Sequence, residues 1–401
     1  MRIGILTFHR SVNNGAVLQC YSLCKKLKSL FAEDTVEVIN YHMPKAEAND
    51  KLTLKKYVKG RNFIVTSVKL LKFALEPQEF LSYRKRRKVF KSVTGMLPLS
   101  EEIYDDGTEK LFSYINEKYD IVIVGSDAIW NYNLRGFPNP YFLDDLLNVK
   151  KLSYAASCFG MNYENISNQE KEKIGKIFSS YCFLGTRDRE SEKFVEFVGS
   201  SVSPTHTCDP TVFLDVDDLP VDEGDLKAKL LSKGFDFEKQ TIAVMGKNNM
   251  CLMVKKMFGD KYQVVALYNY CKNADVNLYD LTPYEWAYVF RYFKLTFTTF
   301  FHGTLLSLRN GIPLICIDLN TEFGKKHTPK TLDVLKRLGF EDWYFTTDYK
   351  TTNLNKIKEK ADDLIAGDYR NAIITAMDKE AESFEAFNSA LKELLRKDEE
   401  K

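Results

Sequence analysis

The chain has 401 residues, 44% of them hydrophobic and 28% charged, with a formal net charge of +2. That length exceeds one ordinary hydrophobic core and suits two domains, and the mixture is that of a folded globular chain. A near-neutral total excludes a dedicated nucleic-acid binder, whose domain would carry a strong basic excess.

The eight cysteines are scattered, mostly inside apolar segments and without C-x-x-C spacing, and read as reduced thiols. The five histidines show no ligand spacing, so no metal is expected. MRIGILTF enters a strand directly, without a signal-peptide pattern, and no apolar run is long enough to span a bilayer. A cytoplasmic location is the expectation.

In chain order, RIGILTF is a buried strand, followed by the polar loop FHRSVNN and the helix GAVLQCYSLCKKLKSL, which Asn13 or Asn14 can cap. VEVINYH completes a βαβ unit. Gly15 opens its helix outside any G-x-G-x-x-G fingerprint, so it fits a tight turn as well as a phosphate cradle. Residues 45–95 break the pattern. Lysines and arginines, including Lys51, Lys55, Lys56, Arg61 and the run Arg84 to Lys88, alternate there with Leu, Val, Ile and Phe. This basic amphipathic insertion fits either an anionic membrane surface, contacted through residues 51–91, or a solvated helical hairpin.

The α/β pattern resumes at YDIVIVGSDAIWN, a strand ending in Gly125, Ser126 and Asp127, where small side chains, backbone donors and one carboxylate can meet a ligand. KLSYAASCFG and the helix NQEKEKIGKIFSS follow. In FLGTRDRESEKFVEFV, Arg187 closes a short strand and a helix begins near Glu190. Asp209-Pro210 reads as a boundary. Between 215 and 240 the composition turns acidic and then basic around Pro220 and Gly224, which places the linker there. The expected organisation is an N-terminal α/β domain over 1–215, a second over 216–370, and a terminal helix over 371–401 crossing back to the first. The fold class is α/β, with two doubly wound Rossmann-like domains facing a cleft.

In the second series, LTFTTFFHGTLLSLRNGIPLICID stands out: a strand to about Thr299, a junction at His302-Gly303, a helix over 304–309 and a strand over 313–317. His302 then lies at the rim where open α/β sheets bind ligands. Gly303 lacks the Cβ that would keep a ligand from the first helical turn.

The set TFHRSVNNGAVLQCYSL, YDIVIVGSDAIWN, LSYAASCFG, TRDRES, DPTVFL, PYEWAYVFRYF and FFHGTLLSLRNGIP resembles, in order and over roughly residues 2–345, the polysaccharide pyruvyl transferase family. The resemblance implies a fold similar to GT-B glycosyltransferases. It also implies transfer of the enolpyruvyl part of phosphoenolpyruvate onto a sugar of a cell-surface polysaccharide or its lipid-linked precursor, as a cyclic ketal. Carried over by position, the family histidine is His302 and the arginine of its R-D-x-x-S motif is Arg187. The loop after the G-S-D strand is Gly125, Ser126 and Asp127, and the first loop contributes Asn13 and Gly15. The chain departs from the pattern at Phe300, Asn14 and Ala128. Phe300 replaces an arginine common in the family and leaves the donor phosphate one cation short.

Phosphoenolpyruvate needs a proton on its methylene carbon, and imidazole titrates in the right range, so His302 is the candidate acid. Its carboxylate and phosphate need fixed donors, which Arg187 and the helix starts at Gly15 and Gly303 can offer. Asp127 is a candidate base for the sugar hydroxyl, or an orienting group. No cofactor beyond the donor substrate is required. Two alternatives remain: a nucleotide-sugar glycosyltransferase, with Lys247, Glu322 and Lys330 as candidate ligands, and a non-catalytic glycan-binding relative.

Overall fold

A computed structural model describes residues 1–44, 59, 63–319, 327–347 and 354–399. Six strands form the first sheet: β1 (Arg2–Leu6), β2 (Thr35–Val38), β3 (Ile121–Val124), β4 (Lys150–Ala156), β5 (Phe183–Thr186) and β6 (Pro204–His206). Six more form the second: β7 (Thr241–Met245), β8 (Gln263–Leu267), β9 (Val276–Leu278), β10 (Leu295–Thr298), β11 (Leu314–Leu319) and β12 (Tyr344–Thr347). Their orders are β2-β1-β3-β4-β5-β6 and β9-β8-β7-β10-β11-β12, and every described pairing within them is parallel. Parallel strands need crossover helices that cover both faces, which is why IVIV and TIAVM are buried at every residue rather than at alternate ones.

Each sheet reverses its strand order once, between β1 and β3 and between β7 and β10. At such a point two neighbouring strands send their chains in opposite directions, which opens a crevice beyond their carboxyl ends. Gly15 follows β1, Asp127 follows β3, Arg187 follows β5 and His302 follows β10, so the residues singled out in the sequence lie at this one end of the strands.

The sequence-based assignments differ from the structure at several points, of which three bear on the site and the two cores. Helix Phe301–Arg309 begins three residues earlier than expected, so His302 lies inside its first turn. The strands β9 and β12 escaped notice because they are short edge strands, VNL and YFTT, without a continuous apolar run. Residues 354–399 form three helices, Leu354–Ala366, Arg370–Ala381 and Phe384–Glu399, so the expected terminal helix over 371–401 is two helices in the described residues. The first two bury Ile357, Ala361, Ile373 and Met377 with the second sheet. The third carries Phe384, Phe387 and Leu391 into the core of the first.

The basic insertion contains helices Phe63–Leu75 and Gln78–Val93. Lys51, Lys55, Lys56 and Arg61, on which its sequence reading partly rested, lie outside the described residues.

Candidate active site

The site is assembled on buried backbone that leaves little freedom. Gly125 has φ +121°, and a Cβ there would stand 2.1 Å from the Tyr154 carbonyl oxygen, so only glycine passes. Asp127 follows with φ 90°, a conformation rare for a residue with a side chain and typical of functional loops. Its carboxylate is thereby turned toward Arg187, with Oδ1 3.7 Å from Nη2.

Arg187 is 1% exposed. Its Nη1 donates to Asp209 Oδ2 at 2.8 Å and reaches Gln19 Oε1 at 3.5 Å. His302 Nε2 stands 3.5 Å from the same Asp209 oxygen, at ion-pair distance but without hydrogen-bond alignment. Asp209 therefore links an arginine from the first half to the histidine of the second. Its own position is fixed by Thr211, whose N–H and hydroxyl donate to Oδ1 at 3.0 and 2.7 Å. The ring of Phe301 faces two cations, with the Arg187 guanidinium 4.8 Å and Lys330 Nζ 5.1 Å from its centroid.

The charges explain the protonation states. Burial raises the Asp127 pKa, but Arg187, Lys330 and His302 outweigh it and hold the carboxyl below its usual range. Burial likewise raises Asp209, and His302, Arg187 and the Thr211 bond together bring it well below the ordinary value. Lys330 is lowered, first by burial and then by repulsion from Arg187, against the pull of three aspartates. The site thus combines ionised carboxylates with two crowded cations. Several buried polar atoms at its edge have no protein partner: Arg187 Nε and Nη2, His302 Nε2, Ser126 Oγ, Gln19 Nε2 and Asn14 Oδ1. Leaving such donors and acceptors unpaired costs about 1–3 kcal/mol each, which a polar ligand would relieve.

The structure brings His302, Arg187, Asp127 and Ser126 together but changes the reading of three other residues. The Gly15 N–H, expected to face an anion, donates to Asn13 Oδ1 at 3.0 Å, so Asn13, one of the two residues expected to cap the helix, does so and its side-chain oxygen is engaged there. Gly15 serves contact: a Cβ there would lie 2.0 Å from His302 Nδ1. Gly303 allows close packing on the strand below, where a Cβ would meet Thr298 Oγ1 at 2.5 Å and Met245 Sδ at 2.8 Å.

Sequence reasoning missed Asp209 and Gln19, and it assigned Lys330 to the nucleotide-sugar alternative. Asp209 precedes a proline and looked like a boundary; Gln19 lay inside a helical pattern that gave no reason to single it out. Lys330 adds a second cation to the cluster, 5.1 Å from the Phe301 ring centroid. Of the other nucleotide-sugar candidates, Lys247 is exposed at the start of helix Asn248–Phe258, and Glu322 lies outside the described residues. Among the described residues no cluster of His, Cys, Asp and Glu is arranged to hold a metal ion.

Two Rossmann-like halves with their strand ends turned to a shared cluster define a GT-B-type α/β protein. Solved structures agree at the level of fold. UDP-GlcNAc 2-epimerase from Neisseria meningitidis, bound to UDP-GlcNAc, aligns over 98% of this chain and 100% of its own, with TM-score 0.53 and 10% identity. Anabaena HepE in complex with UDP and glucose aligns over 99% and 100%, with TM-score 0.50 and 10% identity. S. aureus MnaA with UDP aligns over 99% and 97%, again with TM-score 0.50 and 10% identity. No curated protein matches the sequence. The family model for polysaccharide pyruvyl transferase matches residues 13–321, and the chain belongs to that family of transferases.

Proposed function

We propose that the protein moves the enolpyruvyl group of phosphoenolpyruvate onto two hydroxyls of a saccharide, forming a cyclic ketal and releasing inorganic phosphate. The observation that carries this reading is the cluster itself, in which an imidazole whose Nε2 makes no hydrogen bond stands beside a buried arginine whose Nε and Nη2 make none either. Phosphoenolpyruvate carries two anionic groups and a carbon that must be protonated. Arg187 offers Nε and Nη2 to its carboxylate or phosphate as a planar fork, and Lys330 adds a point charge.

In this reading His302 protonates the methylene carbon from Nε2, since Nδ1 lies against the backbone at Gly15. The positive charge that develops at C2 is attacked by one sugar hydroxyl, whose proton passes to a base or to water. Cleavage of the C2–O bond then expels phosphate, and a second hydroxyl closes the ring with loss of its proton. Asp209, with Oδ2 3.5 Å from Nε2, helps hold the ring in place before transfer. Asp127, kept ionised by two cations, is a poor base and a good acceptor, so we assign it to orienting the incoming hydroxyl. The acceptor in this scheme is a saccharide of a cell-surface polysaccharide or its lipid-linked precursor.

The test is thermal protection by phosphoenolpyruvate measured against UDP, followed by phosphate release in the presence of a saccharide panel and mass analysis of the glycan. Protection by phosphoenolpyruvate with phosphate release and a ketal product is expected. Protection by UDP alone, with no phosphate released, would move the protein to nucleotide-sugar chemistry.

A further inference from the structure

Helix Phe63–Leu75 is apolar in sequence, FIVTSVKLLKFAL, yet most of its described side chains are exposed. Val68, Leu71 and Leu75 are 61%, 61% and 73% exposed, and their spacing puts them on one stripe. Phe73, on the opposite side, makes the inward contact, packing edge-on against Phe80 at 5.5 Å. Apolar helices in water-soluble folds normally bury such a stripe.

The partner helix Gln78–Val93 carries the complementary chemistry. Its buried face is Phe80, Ser82, Phe90 and Val93. The exposed positions Arg84, Lys85, Lys88 and Lys91 share the opposite face with Leu81, and no carboxylate lies among them. Glu76, in the turn between the helices, is drawn aside by Lys272 at 2.6 Å. Arg86 belongs to neither surface. It is buried, stacks 3.9 Å from the centroid of the Tyr268 ring and hydrogen-bonds the Tyr268 carbonyl, anchoring the hairpin to the second half. Tyr268 in turn packs against Phe300, two residues before His302, and its hydroxyl donates to the Val12 carbonyl in the loop before the first helix.

We infer that the outward faces of this hairpin dock on an anionic lipid surface, with Val68, Leu71 and Leu75 entering the interface and Arg84, Lys85, Lys88 and Lys91 meeting the headgroups. An aliphatic stripe on one helix and a cationic face on the next fit that occupant, because an apolar protein partner would not need the cations and a soluble anion would not need the aliphatics. The Arg86–Tyr268–Phe300 contacts then hold the catalytic cluster at a fixed place relative to the membrane. For the acceptor this implies a glycan attached to a lipid, a consequence that rests on the pyruvyl-transfer reading; the docking itself does not.

Co-sedimentation of the full chain with vesicles tests it without donor or acceptor. Vesicles rich in phosphatidylglycerol should bind the protein and pure phosphatidylcholine should not, and raised salt should weaken the binding. Arg84→Gln with Lys88→Gln should lower the partition coefficient by roughly 30-fold, since each cation near such a surface contributes about fivefold. Leu71→Ser with Leu75→Ser should lower it at least ~10-fold, with the melting temperature unchanged because both side chains are exposed. Equal binding to both vesicle types, or undiminished binding by either variant, would overturn the inference. So would a dimer in sedimentation velocity that the leucine variant dissociates, which would give the face to a second copy of the chain.

Discussion

Arg187 has its side chain inside the protein, where its shortest ion pair among the described residues is to Asp209. A buried guanidinium whose Nε and Nη2 make no hydrogen bond is suited to a planar anion, so Arg187→Lys, which keeps the charge and loses the fork, should raise KM for phosphoenolpyruvate far more than it lowers kcat. His302→Gln should do the reverse. It keeps size and some hydrogen bonding but cannot cycle a proton, and kcat should fall by about 10²- to 10⁴-fold with little change in donor affinity. Turnover in deuterated solvent supplies a second check, because the new ketal methyl group should carry deuterium. A His302→Gln enzyme with wild-type kcat would show that another group delivers the proton. Gly15→Ala probes the position of the ring. The added methyl must displace the imidazole it would otherwise overlap, and a shift near 1 Å should lower kcat by roughly 10²-fold; unchanged steady-state kinetics would show that the ring's placement does not matter.

At the scale of single elements, the sequence made His302, Arg187 and Asp127 legible because each is a polar residue at the end of an apolar strand. Asp209 was not legible for a physical reason: it follows a three-residue edge strand, half-exposed, and begins a short 3-10 turn, so no periodicity marks it. What fixes its importance is tertiary. The turn at Pro210–Phe213 packs between helices Asn14–Leu30 and Phe301–Arg309, which carry Gly15 and His302. Asp209→Asn should therefore affect stability as well as activity. Removing one partner of a buried ion pair costs about 3–5 kcal/mol, read as a lower urea midpoint. The pH dependence has a defined sign. The folded pKa of Asp209 lies well below that of an unfolded aspartate, about 3.9. Its contribution is thus complete above that value and lost as pH falls through the folded pKa. Wild-type stability should fall in acid more steeply than that of Asp209→Asn, and parallel acid profiles would remove Asp209 from the set of linked groups.

At the scale of the whole molecule, the two halves are tied by the chain's own end. Helix Arg370–Ala381 places Glu380 between His206 of the first half and Arg337 of the second, at 3.0 and 3.1 Å. Burial would raise the Glu380 pKa, but those two partners hold it lowered, so its carboxylate stays ionised near neutrality. The next helix delivers Phe387 onto Tyr154 and Phe183, with ring centroids 4.9 and 5.6 Å apart. A chain that begins in one half, builds the second and returns to seal the first should unfold as one unit. The tryptophans make this measurable, because Trp130 lies in the core of the first half and Trp343 in that of the second. Urea unfolding followed by fluorescence of single-tryptophan variants and by far-UV circular dichroism should give coincident transitions. Phe387→Ala empties a fully buried site and should cost about 3–5 kcal/mol. Because that loss falls on the seal, the Trp130 transition should move to lower urea ahead of the Trp343 transition. Two separate transitions already present in the wild type would show that the terminal helices decorate two independent domains, and the seal would have no thermodynamic meaning.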